Sequence, residues 1–147
     1  MYEARDRTAD EVGGVPSSRA RRPACVLVCD DEARLVRLMV DLLEQFDYRA
    51  VAAGGPEGAV AALGVQRIDI ALLDVNLRSS GAKEVLSELR AHGFAGPVIL
   101  TSGSAEEDVS AELRSDPQVA SYLAKPFSIE RLVEAIDAAL ERPQVAS

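Results

Sequence analysis

Ile68-Asp69-Ile70-Ala71-Leu72-Leu73-Asp74 is an apolar run that ends on a carboxylate. It is too short for a helix and is bounded by polar residues, so it reads as a buried strand over Ile68 to Leu73. The same design recurs along the chain. Cys25 to Cys29 precedes Asp30-Asp31, Val98-Ile99-Leu100 leads to Thr101 and Ser102, and the short run Tyr122 to Ala124 meets Lys125-Pro126. A further strand is expected at about Arg49 to Ala52.

Helical patterns separate these runs. Ala33 to Phe46 carries Leu35, Leu38, Met39, Leu42, Leu43 and Phe46 at helical spacing, which predicts one apolar face. Pro56 suits a first helical turn and opens a short helix with Ala59, Val60 and Leu63. A third helix is expected over about Ala82 to Ala91, with Val85, Leu86 and Leu89 inward. A fourth is expected over about Glu106 to Arg114. A fifth, about Ile129 to Leu140, would bury Leu132, Val133, Ile136 and Leu140. Strands alternating with helices need right-handed crossovers between parallel strands. The fold class is therefore α/β, a doubly wound five-stranded parallel sheet with five helices.

Residues 1–23 mix charges, glycines, serines and prolines without period and are expected to be a flexible arm. The domain proper is expected over 24–142, with a short tail at 143–147. No second domain follows in the sequence, so any output is expected to leave through surface contacts. The formal charge is −8. Residues 1–24 hold five arginines and four acids, a net of +1, which leaves −9 on the remainder. Such a domain repels DNA, so direct nucleic-acid binding is not expected. No stretch has the roughly 18 to 20 apolar residues needed to cross a bilayer, and the N-terminus lacks a secretory apolar core. A cytoplasmic location follows as the expectation. Cys25 and Cys29 stand about 13 Å apart on one strand, too far for a disulfide or a shared zinc, and are expected in the core.

Strand ends of such sheets converge on one edge, where ligands bind. Asp30, Asp31 and Asp74 would meet there. Two carboxylates about 4 Å apart repel by roughly 4 kcal/mol at an effective dielectric near 20. A cation such as Mg²⁺ relieves that repulsion, taking one or two carboxylates plus water and phosphate oxygens. Asp74 can then act as a nucleophile toward phosphorus and become an aspartyl phosphate. Lys125 supplies a compact positive charge for a phosphoryl oxygen. A strand-four hydroxyl can donate to another. Ser102, at the end of that strand, offers this hydroxyl, and Thr101 beside it points to the opposite side. Asp31 could also cap the first helix.

These stretches resemble the receiver domains of bacterial two-component response regulators, over about residues 24–141. Val28-Cys29-Asp30-Asp31-Glu32 is similar to the family's first acidic motif, and Leu72-Leu73-Asp74-Val75-Asn76-Leu77 to its phospho-acceptor motif. Pro97 to Gly103 resembles strand four, and Tyr122-Leu123-Ala124-Lys125-Pro126-Phe127 the last motif. The resemblance implies a flavodoxin-like receiver fold and phosphorylation of Asp74 by a sensor histidine kinase or a histidine phosphotransfer protein. It implies Mg²⁺ held by Asp30, Asp31, Asp74 and the backbone carbonyl of Asn76. It implies that Lys125 binds the phosphoryl group, that the Lys125-Pro126 peptide is cis, and that Ser102 and Tyr122 form the switch.

Two stretches depart from the family pattern. Arg78 stands where a proline is usual and Gly81 comes one residue early. Pro117-Gln118-Val119-Ala120-Ser121 replaces the usual Gly-Ala turn, which bears on helix four. The expected function is a stand-alone, single-domain response regulator, not an enzyme beyond its own aspartyl phosphorylation and dephosphorylation. It would signal by protein contact, relay the phosphoryl group or drain it from a kinase. An aspartate-nucleophile phosphohydrolase would need a second acid two residues after Asp74, where this chain has Asn76. Gly54-Gly55-Pro56-Glu57-Gly58 lacks the lysine of a phosphate loop and reads as a strand-to-helix turn.

Overall fold

The computed structural model describes residues 23–76, 81–103 and 110–141. The expected arm, apart from Pro23, lies outside the described residues. So do the expected tail, the stretch 77–80 with Arg78, and the expected start of helix four. The elements run β1 (Cys25–Cys29), α1 (Ala33–Gln45), β2 (Arg49–Ala53), α2 (Pro56–Val65), β3 (Ile70–Asp74), α3 (Ala82–Ala91), β4 (Val98–Ser102), α4 (Ala111–Arg114), β5 (Val119–Ala124) and α5 (Ile129–Glu141). The strands are all parallel, in the order β2-β1-β3-β4-β5. The doubly wound α/β architecture is the one expected.

Every residue of β1, β3 and β4 is buried, as continuous apolar strands in a sheet covered on both sides must be. Side-chain alternation sorts them onto two cores. Leu27, Cys29, Leu73 and Leu100 pack with α2 and α3. Val26, Val28, Leu72 and Ile99 pack with α1 and α5. Each fully buried leucine contributes about 1.5–3 kcal/mol relative to exposure. Both cysteines are buried and neither is in a disulfide, as anticipated.

Several expectations need correction. The inward stripe of α1 is Val36, Met39 and Leu43, whereas Leu38 is 53% exposed and Phe46 40% exposed. Leu35, Leu38 and Leu42 form a second stripe one residue round the helix, and spacing alone does not say which stripe faces the sheet. β3 begins at Ile70, because Asp69 turns its carboxylate onto the Cys25 N–H at 2.8 Å. β5 begins at Val119 rather than Tyr122, its start masked by the small residues Ala120 and Ser121. Helix four cannot run unbroken from Glu106, because Ser110 is non-helical and caps α4 by accepting the Leu113 N–H at 3.2 Å. Asp31 does not cap α1. The cap position is Glu32, which has no side-chain cap, and Asp30 accepts the Glu32 N–H at 2.9 Å.

The departure at Pro117 to Ser121 has a structural answer. Gln118 is buried and donates to the Gly96 carbonyl at 2.7 Å, while accepting from Arg90 Nε of α3 at 2.7 Å. Arg90 also pairs with Asp116. The Gln118 carbonyl receives the Val98 N–H at 2.9 Å. A polar clamp therefore fixes the start of β5 against α3 and β4. His92 ends α3 with Nδ1 2.9 Å from the Glu88 carbonyl, and Gly93 follows at φ 95°, the left-handed conformation that stops a helix.

Candidate functional site

In this strand order the chain leaves β1 toward β2 on one side and returns to β3 on the other, so the crevice beyond β1 and β3 is the topological switch point. Asp74 is the last residue of β3, and Asp30 directly follows β1. The register pairs Cys29 with Leu73, which sets the two carboxylates side by side. Asp30 and Asp74 are 4% and 5% exposed; Asp31 is exposed at the rim. One carboxylate oxygen from each of the three lies within 4.8 Å of the others.

Lys125 follows β5 and reaches back over the sheet edge. Its Nζ lies 2.9 Å from Asp30 Oδ2 and 3.4 Å from Asp74 Oδ2. The Lys125-Pro126 peptide is cis, as the resemblance implied. Ser102 ends β4 fully buried, pairs with Ala124 and accepts the Lys125 N–H on its carbonyl at 2.7 Å. Thr101 is also buried but pairs with Asp74 across the β3–β4 ladder. By alternation Ser102 shares a face with Leu100, whose partner across the β4–β5 ladder is Tyr122. Tyr122 is half-buried and packs on that same core.

The resemblance implied a role for the Asn76 backbone carbonyl, and the sequence otherwise marked Asn76 only as standing where a phosphohydrolase needs an acid. Its side chain is engaged as well, with the amide donating to Ser102 Oγ at 3.2 Å. Its backbone N–H donates to Asp74 Oδ1 at 3.1 Å, the local turn that aspartate favours. A short polar side chain two residues after the strand-end acid was the available signal.

Burial pushes the Asp74 carboxyl up from its ordinary range, with Asp30's charge adding to the rise; the Asn76 N–H and Lys125 oppose it. Burial alone would lower Lys125, but its hydrogen bond to Asp30 and the charges of Asp30 and Asp74 carry it upward instead. The thiol of Cys29 is pushed up to about 12 by burial, then by Asp30, Asp74 and Asp31. A thiol held protonated in this way is a poor nucleophile and a poor metal ligand. Three carboxylates this close repel by roughly 3 kcal/mol per pair. An oxygen-only donor set at a switch point suits a hard divalent cation.

A raised folded-state pKa favours the protonated form. The stability it contributes is complete below the unfolded pKa and is lost as pH rises through the folded one. Ionised Asp74 is therefore a liability near neutrality. Asp74→Asn is expected to be more stable than the unsubstituted protein at pH 7 in EDTA. The gain should fade as pH falls through the carboxylate range. Urea denaturation across that range checks it, and an Asn variant no more stable at pH 7 contradicts it.

Residues 26–137 match the response regulator receiver domain family. The chain is 36% identical over 127 residues to the "Probable transcriptional regulatory protein TcrX" of Mycobacterium tuberculosis, covering 86% of this chain and 53% of that protein. It is 30% identical over 131 residues to the "Transcriptional regulatory protein PdtaR" of the same species, covering 88% and 63%. The chain thus spans about half to under two thirds of the length of these relatives. Among solved structures, a response regulator receiver domain protein from Clostridium thermocellum superposes with a TM-score of 0.69 at 25% identity, covering 81% of this chain and 95% of that one. A response regulator from Burkholderia pseudomallei, described with a phosphorylated aspartic acid, calcium ion and citrate, superposes at 0.68 with 21% identity, covering 82% and 75%.

Proposed function

Because the chain belongs to the response regulator receiver domain family of two-component signalling, we propose that Asp74 accepts a phosphoryl group from a histidine kinase or histidine phosphotransfer protein. The observation that carries this reading is Lys125, whose ammonium bridges the buried carboxylates of Asp30 and Asp74 at the switch point. A carboxylate there has a positive group beside it and a turn that orients it. Asp74 attacks phosphorus in line; the new O–P bond forms as the P–N bond of the phosphohistidine breaks and its electron pair returns to the imidazole. Such transfer depends chiefly on positioning and charge neutralisation. Lys125 takes one phosphoryl oxygen and the Ser102 hydroxyl donates to another. Asp30, Asp31, Asp74 and the Asn76 carbonyl would hold a divalent cation, Mg²⁺, which supplies further neutralisation of the phosphoryl charge. As Ser102 moves toward the phosphoryl group, Tyr122 follows inward on the same face. The signal then leaves by protein contact or by passing the phosphoryl group on. The chain catalyses only its own phosphorylation and dephosphorylation, and we place it in the cytoplasm. Among the described residues no helix is long and apolar enough to cross a membrane.

The donor's docking surface follows from the second stripe of α1. Leu35, Leu38 and Leu42 line a groove of about 420 Å³ whose other wall is Pro126, Phe127 and Ile129, with Lys125 also in its lining. An apolar groove that opens beside the acceptor suits a helical phosphodonor. Leu38→Glu is expected to slow phosphoryl transfer from a phosphohistidine protein about tenfold, the worth of one interface anchor. Transfer from acetyl phosphate with Mg²⁺ should be unchanged. Mass spectrometry of both reactions tests the proposal. Failure of both donors to label the unsubstituted protein overturns it, and equal slowing of both by Leu38→Glu removes the groove from it.

A further inference from the structure

Asn76 holds two members of the site at once. Its backbone N–H is bonded to Asp74 Oδ1 and its side-chain amide to Ser102 Oγ. We propose that Asn76 is the latch of the resting state: a positioning residue whose amide keeps the Ser102 hydroxyl, and through it Tyr122, in the unphosphorylated arrangement. This rests on Asp74 being the phospho-acceptor.

The two ends of the latch differ in environment. Asn76 is exposed, whereas Ser102 is fully buried, so water cannot readily replace the amide at the serine. A buried hydroxyl gives up a hydrogen bond at a cost. Ser102 has one hydrogen to give and two lone pairs to receive. Donating to a phosphoryl oxygen requires the hydroxyl to turn toward Asp74, and the amide on its lone pair must follow or let go.

The other end responds to the same event. The Asn76 N–H now donates to a charged carboxylate, one of the stronger kinds of hydrogen bond. Forming the acyl phosphate makes that oxygen part of an ester-like group and moves the negative charge outward. The bond that sets the Asn76 turn weakens just as Ser102 is drawn away. Resting geometry and phosphorylation therefore compete for one hydroxyl through one residue.

The test follows the Tyr122 ring by NMR in the full chain, free and with beryllofluoride and Mg²⁺ as the acyl-phosphate mimic. In Asn76→Ala the resonances of the free protein should move along the line joining the free and beryllofluoride-bound positions of the unsubstituted protein. The active-like population should rise about threefold to tenfold, the worth of one hydrogen bond. In a Ser102→Ala background the same substitution should move nothing further, which a general loosening of the loop would not reproduce. If beryllofluoride with Mg²⁺ moves no resonance of the unsubstituted protein, the phospho-acceptor assignment falls and the latch with it; if it moves others but not Tyr122, the latch alone falls. If Tyr122 responds but Asn76→Ala leaves the free protein unmoved, or acts equally without the serine hydroxyl, the latch alone is overturned.

Discussion

Asp74→Asn is expected to abolish phosphoryl incorporation from both acetyl phosphate and a phosphohistidine protein. Removing a covalent nucleophile lowers rates on the order of 10⁴-fold or more, which takes labelling below detection. The substitution preserves shape. An asparagine oxygen can still accept the Asn76 N–H that Asp74 Oδ1 accepts now, so loss of labelling cannot be put down to a collapsed turn. The same variant should gain stability in EDTA at pH 7, so lost chemistry and retained fold are read from one protein. Intact-mass spectrometry with Mg²⁺ present makes the comparison. Undiminished labelling of the Asn variant would show that another residue carries the phosphoryl group.

Lys125→Ala is the second large effect, and it acts twice. In the metal-free protein it leaves Asp30 and Asp74, 4% and 5% exposed, without their bridging ammonium. Breaking a buried pair on one side costs about 3 kcal/mol. Divalent cation should then restore more stability in the variant than in the unsubstituted protein, a difference visible as a larger Mg²⁺-dependent rise in Tm. During transfer the missing charge should slow acceptance about a hundredfold, the scale for losing one preorganised group aimed at developing charge. Once phosphorylated, the variant should hold its phosphoryl group without moving Tyr122. A normal Tyr122 response in phosphorylated Lys125→Ala would remove the lysine from the relay.

The strand ends were legible in the sequence because parallel strands buried on both faces are written as unbroken apolar runs. Each run here stops at or beside a polar residue, so Asp30, Asp74, Ser102 and Lys125 could be named as candidates from the sequence. Less legible was whatever depends on which of two neighbouring positions faces inward. α1 offers two apolar stripes, Val36-Met39-Leu43 and Leu35-Leu38-Leu42, and only packing against α5 and the sheet chooses between them. The choice matters, since the rejected stripe becomes the groove. The start of β5 was hidden for a different reason: Ala120 and Ser121 carry little hydrophobic signal and owe their strand geometry to the ladder with β4. Long-range polar contacts leave no periodic trace at all. The bonds from Arg90 to Gln118 and from Asn76 to Ser102 join residues 28 and 26 positions apart.

The Gln118 clamp gives β5 a fixed root. Its N-terminal end is built into α3 and β4 through Arg90, Asp116, Gly96 and Val98. Its other end carries Tyr122 and, one residue past the strand, Lys125 at the acidic crevice. The ladder with β4 holds that end as well, through Leu123 opposite Thr101, Ala124 opposite Ser102 and the Lys125 N–H on the Ser102 carbonyl. Displacement delivered at the crevice is then not dissipated by the whole strand sliding in register. Under the function proposed above, it would pass between β4 and β5 together and reach Tyr122 through its ladder partner Leu100.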